Sequence, residues 1–174
     1  MRNTLLILSM ISMVLGMYST IVCNIHWAVG MYFVSLITYL QSKEYDTVIR
    51  LSDDSKLSKS HKPVSSDDLI IIIGNLIDNS LEAFQNTLVT NRKINVKIYE
   101  DDTQIKIGVS DNAGGIDPSI KSRMFKRGVS SKKGEGRGTG LSLVNEIVNM
   151  YNGEKQVQSS THNTYIEVTL KKVK

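Results

Sequence analysis

Residues 74–84 read GNLIDNSLEAF, and within them Asn75 and Asn79 stand four positions apart. The surrounding apolar residues Leu69, Ile72, Ile73, Leu76, Ile77, Leu81, Phe84 and Leu88 recur at helical spacing. Residues i and i+4 share one helix face, so the two amides point the same way, beside Asp78 and Glu82. Asn disfavours helix interiors because its amide competes for backbone hydrogen bonds. Two of them on one face suit oxygen ligation of a divalent cation such as Mg²⁺, with substrate phosphates supplying most of the charge. Read as structure alone, they form an ordinary polar helix face.

Two further stretches carry chemistry. SDNAGGID (110–117) follows an alternating run, so Asp111 falls at a strand end beside Gly114 and Gly115. A carboxylate there can accept an exocyclic amine, and glycine permits close backbone approach; an Asp-Asn turn is the plain alternative. GEGRGTGLSLV (134–144) alternates Gly134, Gly136, Gly138 and Gly140 and then enters a helical pattern. Backbone N–H groups at a helix start hold phosphate, although a flexible linker has the same composition. No apolar strand precedes these glycines and no Gly-Lys-Ser/Thr follows them, which excludes the dinucleotide and P-loop fingerprints.

The elements that position these residues follow from periodicity. Thr47–Leu51 alternates weakly and reads as a strand, and 52–66 reads as a loop. A helix begins at Ser65 or Ser66, with Asp67 and Asp68 in its first turn. Ile94/Val96/Ile98 and Ile105/Ile107/Val109 alternate with polar residues and predict two strands joined at Glu100–Thr103. Residues 119–138 read as a basic, mobile loop. Thr139–Tyr151 reads as a helix ending near Gly153, and Lys155–Ser159 and Tyr165–Leu170 predict a last antiparallel pair. The order βαββ–loop–αββ implies an α+β fold, a two-layer sandwich with helices on one face of a mixed sheet.

Charge is uneven. Asn3–Ser42 contains no Asp, Glu, Lys or Arg, which draws the domain border at 42/43 and makes 1–42 a hydrophobic helical arm. Thr4–Cys23 is long enough for a membrane helix, and Ile25–Leu40 is borderline. Together they fit a hairpin turning at Cys23–His26, with Arg2 and Lys43 on the cytoplasmic side. One span with a buried helix, a cleaved signal peptide and a buried helical dimer interface are the other readings. The net charge is +4, yet Lys121, Arg123, Lys126, Arg127, Lys132, Lys133 and Arg137 lie within 17 residues against Glu135 alone. Such a cluster attracts a compact anion. Phe125 is its one aromatic residue, too few for a nucleic-acid stacking platform. The one cysteine, Cys23, excludes an internal disulfide.

In order and spacing, the three stretches resemble the GHKL ATP-binding fold of sensor histidine kinases, DNA gyrase B, MutL and heat-shock chaperone ATPases, over residues 45–172. GNLIDNSLEA resembles the N box, SDNAGGI the G1 box, MFKRGVSSKKGEG the F box and ATP lid, and GRGTGLSLV the G2 box. The wording is most similar to the citrate and C4-dicarboxylate sensor kinases. The resemblance implies that Asn79 binds Mg²⁺ and phosphate, with Asn75 supporting it. It implies that Asp111 reads the adenine amino group and that Gly115 is the close-approach glycine beneath the base. Ser130, Ser131, Lys132, Arg137, Gly138, Gly140 and Leu141 would surround the triphosphate, and Phe125 would anchor the lid. Hydrolytic members resemble this pattern with Glu at position 75; Asn lacks that basicity, so the chain looks like a kinase.

The implied activity is ATP-dependent phosphorylation of a histidine on another chain, at the cytoplasmic face of a cell membrane. A response regulator or a histidine-bearing kinase chain would be its partner, and the complete protein a homodimer, with no nucleic-acid partner. A non-catalytic ATP-binding modulator and an anti-sigma-type Ser/Thr kinase are the alternatives. Three departures stand out. Ala113 replaces a frequent Gly, tolerable with ordinary backbone angles, and Ser80 replaces the usual Ala. No acceptor His is evident at His26, His61 or His162.

Overall fold

The computed structural model describes residues 27–42, 45–53, 63–85, 87–129 and 138–172. In chain order the elements are α1 (Trp27–Ser42), β1 (Asp46–Asp53), α2 (Ser66–Phe84), β2 (Lys93–Glu100), β3 (Gln104–Asp111), α3 (Pro118–Lys121), α4 (Gly140–Met150), β4 (Glu154–Ser159) and β5 (Thr164–Lys171). The strands form one sheet in the order β1-β2-β3-β5-β4. β1 runs parallel to β2, and every other neighbouring pair is antiparallel. This is the expected mixed sheet.

Alternation decides which face is covered. Ile94, Val96 and Ile98 of β2, Ile105, Ile107 and Val109 of β3, and Ile166, Val168 and Leu170 of β5 all point to one side and are buried. They meet Leu69, Ile72, Ile73, Leu76, Ile77 and Phe84 of α2 and Val144, Ile147 and Val148 of α4. Fully burying one such side chain stabilises by about 1.5–3 kcal/mol. Two Asn in a helix cost together about 1 kcal/mol against Ala. The apolar stripe of α2 therefore easily carries Asn75 and Asn79.

The ends of α2 depart from expectation. Ser65 is the N-cap residue, but its side chain makes no cap hydrogen bond. Its backbone N–H donates instead to the Tyr151 hydroxyl at 3.1 Å, and that hydroxyl donates to Asp68 Oδ2 at 2.6 Å. A residue at the end of α4 thus satisfies a donor at the start of α2. At the other end the helix stops at Phe84, so Leu88 is not on its apolar face and is 99% exposed. α4 closes through Asn152 in the left-handed region (φ 49°), with Gly153 N–H bonding Val148 O at 2.8 Å.

The hairpin between β2 and β3 is held by Asp101. Burial works against its charge, but hydrogen bonds from Thr103 and Gln104 outweigh that and bring its pKa down to about 2. Beside it, Lys172 and Glu100 form an ion pair at 2.6 Å, and Lys172 Nζ also donates to Asp101 O at 2.7 Å.

α1 has 16 residues and covers most of the second apolar stretch. Its C-terminal part belongs to the domain: Leu40 is fully buried in the core and Leu36 packs against it. The 42/43 border therefore falls after residues that help build the core. Among the described residues no helix is long and apolar enough to cross a membrane. Thr4–Cys23 and the Cys23–His26 turn lie outside the described residues.

Candidate functional site

A cavity of about 550 Å³ opens between α2, the end of β3, the segment after it and the start of α4. Its wall includes Asn75, Asp78, Asn79 and Glu82 from α2, and Asp111 to Asp117 with the exception of Asn112. It also includes Met124, Val129, Gly138, Thr139, Gly140, Leu141 and Thr164. The structure thus brings Asn75, Asn79, Asp111, Gly115, Gly138, Gly140 and Leu141 together. Ser130, Ser131, Lys132 and Arg137 lie outside the described residues.

The two asparagines differ in what they can offer a ligand. Asn75 Nδ2 donates to Ile71 O at 2.7 Å, one turn back along the helix. Its Oδ1 lies where a Cβ on Gly140 would be. Gly140 is therefore fitted to Asn75, and the start of α4 lies close against α2. Asn79 has no hydrogen-bond partner among the described residues, and its amide faces the cavity.

Asp111 ends the inward-facing row of β3 and is only 4% exposed. Ala113 N–H donates to Oδ1 at 3.0 Å and the Ser80 hydroxyl donates to Oδ2 at 2.9 Å. Burial pushes its carboxyl pKa up from the ordinary value, and the two hydrogen bonds pull it partly back. Asp78 is also raised, first by burial and then by the charge of Glu82. Asp78, Glu82, Asp111 and Asp117 put four carboxylates on this wall, and no Lys or Arg is among its described residues. An anionic ligand needs cations from outside this set.

The glycines have separate causes. A Cβ on Gly115 would overlap the Ser160 carbonyl oxygen. The close approach at Gly115 within the fold is thus to the β4–β5 turn, and Gly115 also lines the cavity. The turn is laced to this segment by Ile116 N–H to Ser159 Oγ at 2.7 Å and Thr164 Oγ1 to Gly114 O at 2.9 Å. Gly128 (φ 78°) and Gly138 (φ 81°) adopt conformations open to glycine. Gly128 N–H bonds Gly138 O at 3.0 Å, joining the two ends of the chain that flank 130–137. Ala113 keeps a negative φ, as its tolerance requires. Phe125 packs against the core under Lys155, whose Nζ is 5.6 Å from the ring centroid, while its neighbour Met124 faces the cavity.

Two functional positions escaped the sequence reading. Ser80, expected to be a minor replacement, is bonded to Asp111, and Thr164 lines the cavity. Both left a signal: each is a polar residue where the period of its element calls for an apolar one. A second, more open hollow of about 650 Å³ lies on the opposite face of the sheet around Gly108, lined by Arg50, Lys97, Lys106, Tyr165 and Glu167 among others. It contains none of the three motif stretches' polar residues.

Residues 64–174 match the family described as histidine kinase-, DNA gyrase B-, and HSP90-like ATPase. A probable C4-dicarboxylate sensor kinase of Halalkalibacterium halodurans is 40% identical over 119 residues, 68% of this chain and 22% of that protein. Sensor histidine kinase CitA of Klebsiella pneumoniae is 28% identical over 122 residues, 70% of this chain and 22% of that protein. The chain thus spans about a fifth of the length of these curated relatives. Among solved structures, the mycobacterial sensor histidine kinase MprB superposes with a TM-score of 0.61 at 18% identity, covering 82% of this chain and 93% of that one. The catalytic domain of histidine kinase ThkA gives 0.62 at 16% identity, covering 83% and 90%. The fold is that of histidine kinase catalytic domains, and the chain belongs to the histidine kinase-, DNA gyrase B- and HSP90-like ATPase family.

Proposed function

We propose that this chain contains the ATP-binding catalytic domain of a two-component sensor histidine kinase, passing the ATP γ-phosphoryl group to a histidine on another chain. The observation that carries the reading is a buried acceptor carboxylate, Asp111, sharing one cavity with Asn79, whose amide has no partner among the described residues, and with the start of α4. Asp111 accepts from the adenine amino group, and Ile116, Ile120, Met124 and Leu141 give the base an apolar bed. Gly138 and Gly140 line the cavity at the start of α4, where backbone N–H groups favour phosphate. Ser130, Ser131, Lys132 and Arg137 complete the phosphate side in this reading.

Mg²⁺ fits the site through the Asn79 amide oxygen and would supply charge neutralisation to the phosphates. The carboxylate-rich wall makes that contribution necessary, together with Lys132 and Arg137. Asn75 cannot act as a general base: it has no titratable group, and its Nδ2 is engaged with Ile71 O. Asn75 therefore does not activate water. The bond from the γ-phosphorus to the ADP oxygen breaks and ADP leaves, a P–N bond forms to an imidazole nitrogen of the acceptor chain, and the imidazole's proton passes to solvent. Among the described residues the one histidine, His162, is exposed in the β4–β5 turn and absent from the cavity wall, which supports an acceptor on another chain.

The same reading takes the catalytic domain to include the core residues Leu36 and Leu40 as well as 43–174, and the apolar sequence before them as a membrane anchor, with the domain at the cytoplasmic face of a homodimer. Its partners are a histidine-bearing kinase chain and a response regulator. Calorimetry of Mg-ATP binding tests the nucleotide site on the full chain, because a cut at Lys43 would remove the core residue Leu40. Binding by the parent and loss in both Asn79→Ala and Asp111→Asn is the expected result. A folded parent that binds no nucleotide overturns the proposal. Acid-labile phosphate on a histidine-bearing partner is expected in the transfer assay; acid-stable phosphate would indicate Ser/Thr transfer.

A further inference from the structure

We propose that Ser80 is a positioning residue for adenine selection, locking the Asp111 carboxylate in the plane that accepts the 6-amino group. The inference rests on the ATP reading above and deepens it.

Ser80 sits in the buried stripe of α2, between Leu76 and Phe84, and is 2% exposed. A hydroxyl there invites a plain explanation, since buried helical Ser commonly bonds the carbonyl one turn back. The distances argue otherwise. Ser80 Oγ is 3.4 Å from Leu76 O but 2.9 Å from Asp111 Oδ2. Its single proton goes to the nearer and charged acceptor.

The consequence falls on Asp111. The carboxylate torsion of Asp is broad and roughly two-fold, so one donor leaves the plane free to turn. Ala113 N–H holds Oδ1 from the loop, and Ser80 Oγ–H holds Oδ2 from the helix. Donors on both oxygens fix the plane. A carboxylate has about four acceptor sites, so lone pairs remain for a ligand. Asp111 lines the cavity and Ser80 does not, so Ser80 acts only through its neighbour. An Ala at 80 would suit the helix and the core better, leaving the bond to Asp111 as the gain from the hydroxyl.

The test compares ATP with purine riboside triphosphate, which lacks the 6-amino group, by calorimetry on the full chain with Mg²⁺. The parent is expected to prefer ATP by about 10-fold or more, the scale of a hydrogen bond to a charged group. In Ser80→Ala that preference should fall about tenfold or vanish, with affinity for the analogue changed less than about twofold. Ser80→Cys, a weaker donor of similar size, should fall between parent and Ala; it carries the test should Ser80→Ala fail to fold. An unchanged preference in the variants overturns the inference, as does an equal loss for both nucleotides, which a merely structural role would give. A parent that binds ATP without preferring it also overturns the inference and leaves the ATP reading standing. A folded parent that binds neither nucleotide overturns the ATP reading itself.

Discussion

Replacing Gly115 by Ala separates two reasons for a glycine in the loop after β3. If a bound base alone required it, Gly115→Ala would be silent in the free protein. The structure requires it for the fold. A Cβ there overlaps the Ser160 carbonyl oxygen and comes within 3.0 Å of the Ser160 carbonyl carbon and 3.2 Å of Ser159 Oγ. Backbone cannot swing away as a side-chain tip can, so overpacking of about 1–3 kcal/mol is expected. Moving the turn outward also stretches the Ile116 N–H to Ser159 Oγ bond and the Thr164 Oγ1 to Gly114 O bond. Each is worth about 1 kcal/mol. The total is about 3–5 kcal/mol, or a fall in Tm on the order of 10 °C for a domain of this size. The assay is thermal unfolding by far-ultraviolet circular dichroism without nucleotide. Gly128→Ala is the control: its Cβ meets nothing within 4 Å, and its cost is the φ of 78° alone, about 1–2 kcal/mol. A Gly115→Ala midpoint equal to the parent's, with nucleotide affinity lost, would refute the reasoning.

Three other outcomes are expected. Gly140→Ala pushes the Asn75 amide aside; losing its bond to Ile71 costs about 1 kcal/mol, which the gain of Ala over Gly in a helix, about 0.8–1.0 kcal/mol, nearly offsets. Unfolding should stay within about 1 kcal/mol of the parent while Mg-ATP affinity falls, and calorimetry beside urea unfolding reads both. Lys172→Met strands Glu100 in the core and should cost about 3–5 kcal/mol in urea unfolding; the ion pair it removes is less than a tenth exposed on either side. Asp111 titrates above its ordinary 3.8 in the fold because of burial. Its contribution to stability is therefore present below that value and lost as pH rises through the raised pKa. Nucleotide binding, which needs the carboxylate as acceptor, should weaken as pH falls into that window. Asp111→Asn should flatten the stability profile there, and calorimetry against pH checks the binding limb.

The local chemistry was legible because it depends on spacing. Helical periodicity placed Asn75 and Asn79 on one face, and period-two alternation placed Asp111 at the end of β3. Glycines that start a helix are recognisable from their neighbours alone, and so is the order of the strands and the two long helices of the domain; the short α3 (Pro118–Lys121) instead falls where 119–138 reads as a loop. Turns and ends were less legible. Leu88 fits the apolar spacing of α2, but the helix ends four residues earlier and leaves it exposed. The end of the arm read as separate from the domain, since uncharged sequence looks alike in a membrane and in a core, yet Leu40 belongs to this core.

The sequence by itself determined the identities of the chemical groups, the elements that carry them and the face each occupies, since backbone geometry sets those periods locally. The tertiary structure decided which distant groups meet. Ser80 and Asp111 are 31 positions apart, and Ser65 and Tyr151 are 86 apart. The insertion of β5 between β3 and β4 brings the β4–β5 turn onto Gly115. Such contacts form only when several apolar faces are buried at once, and no short stretch of residues encodes them.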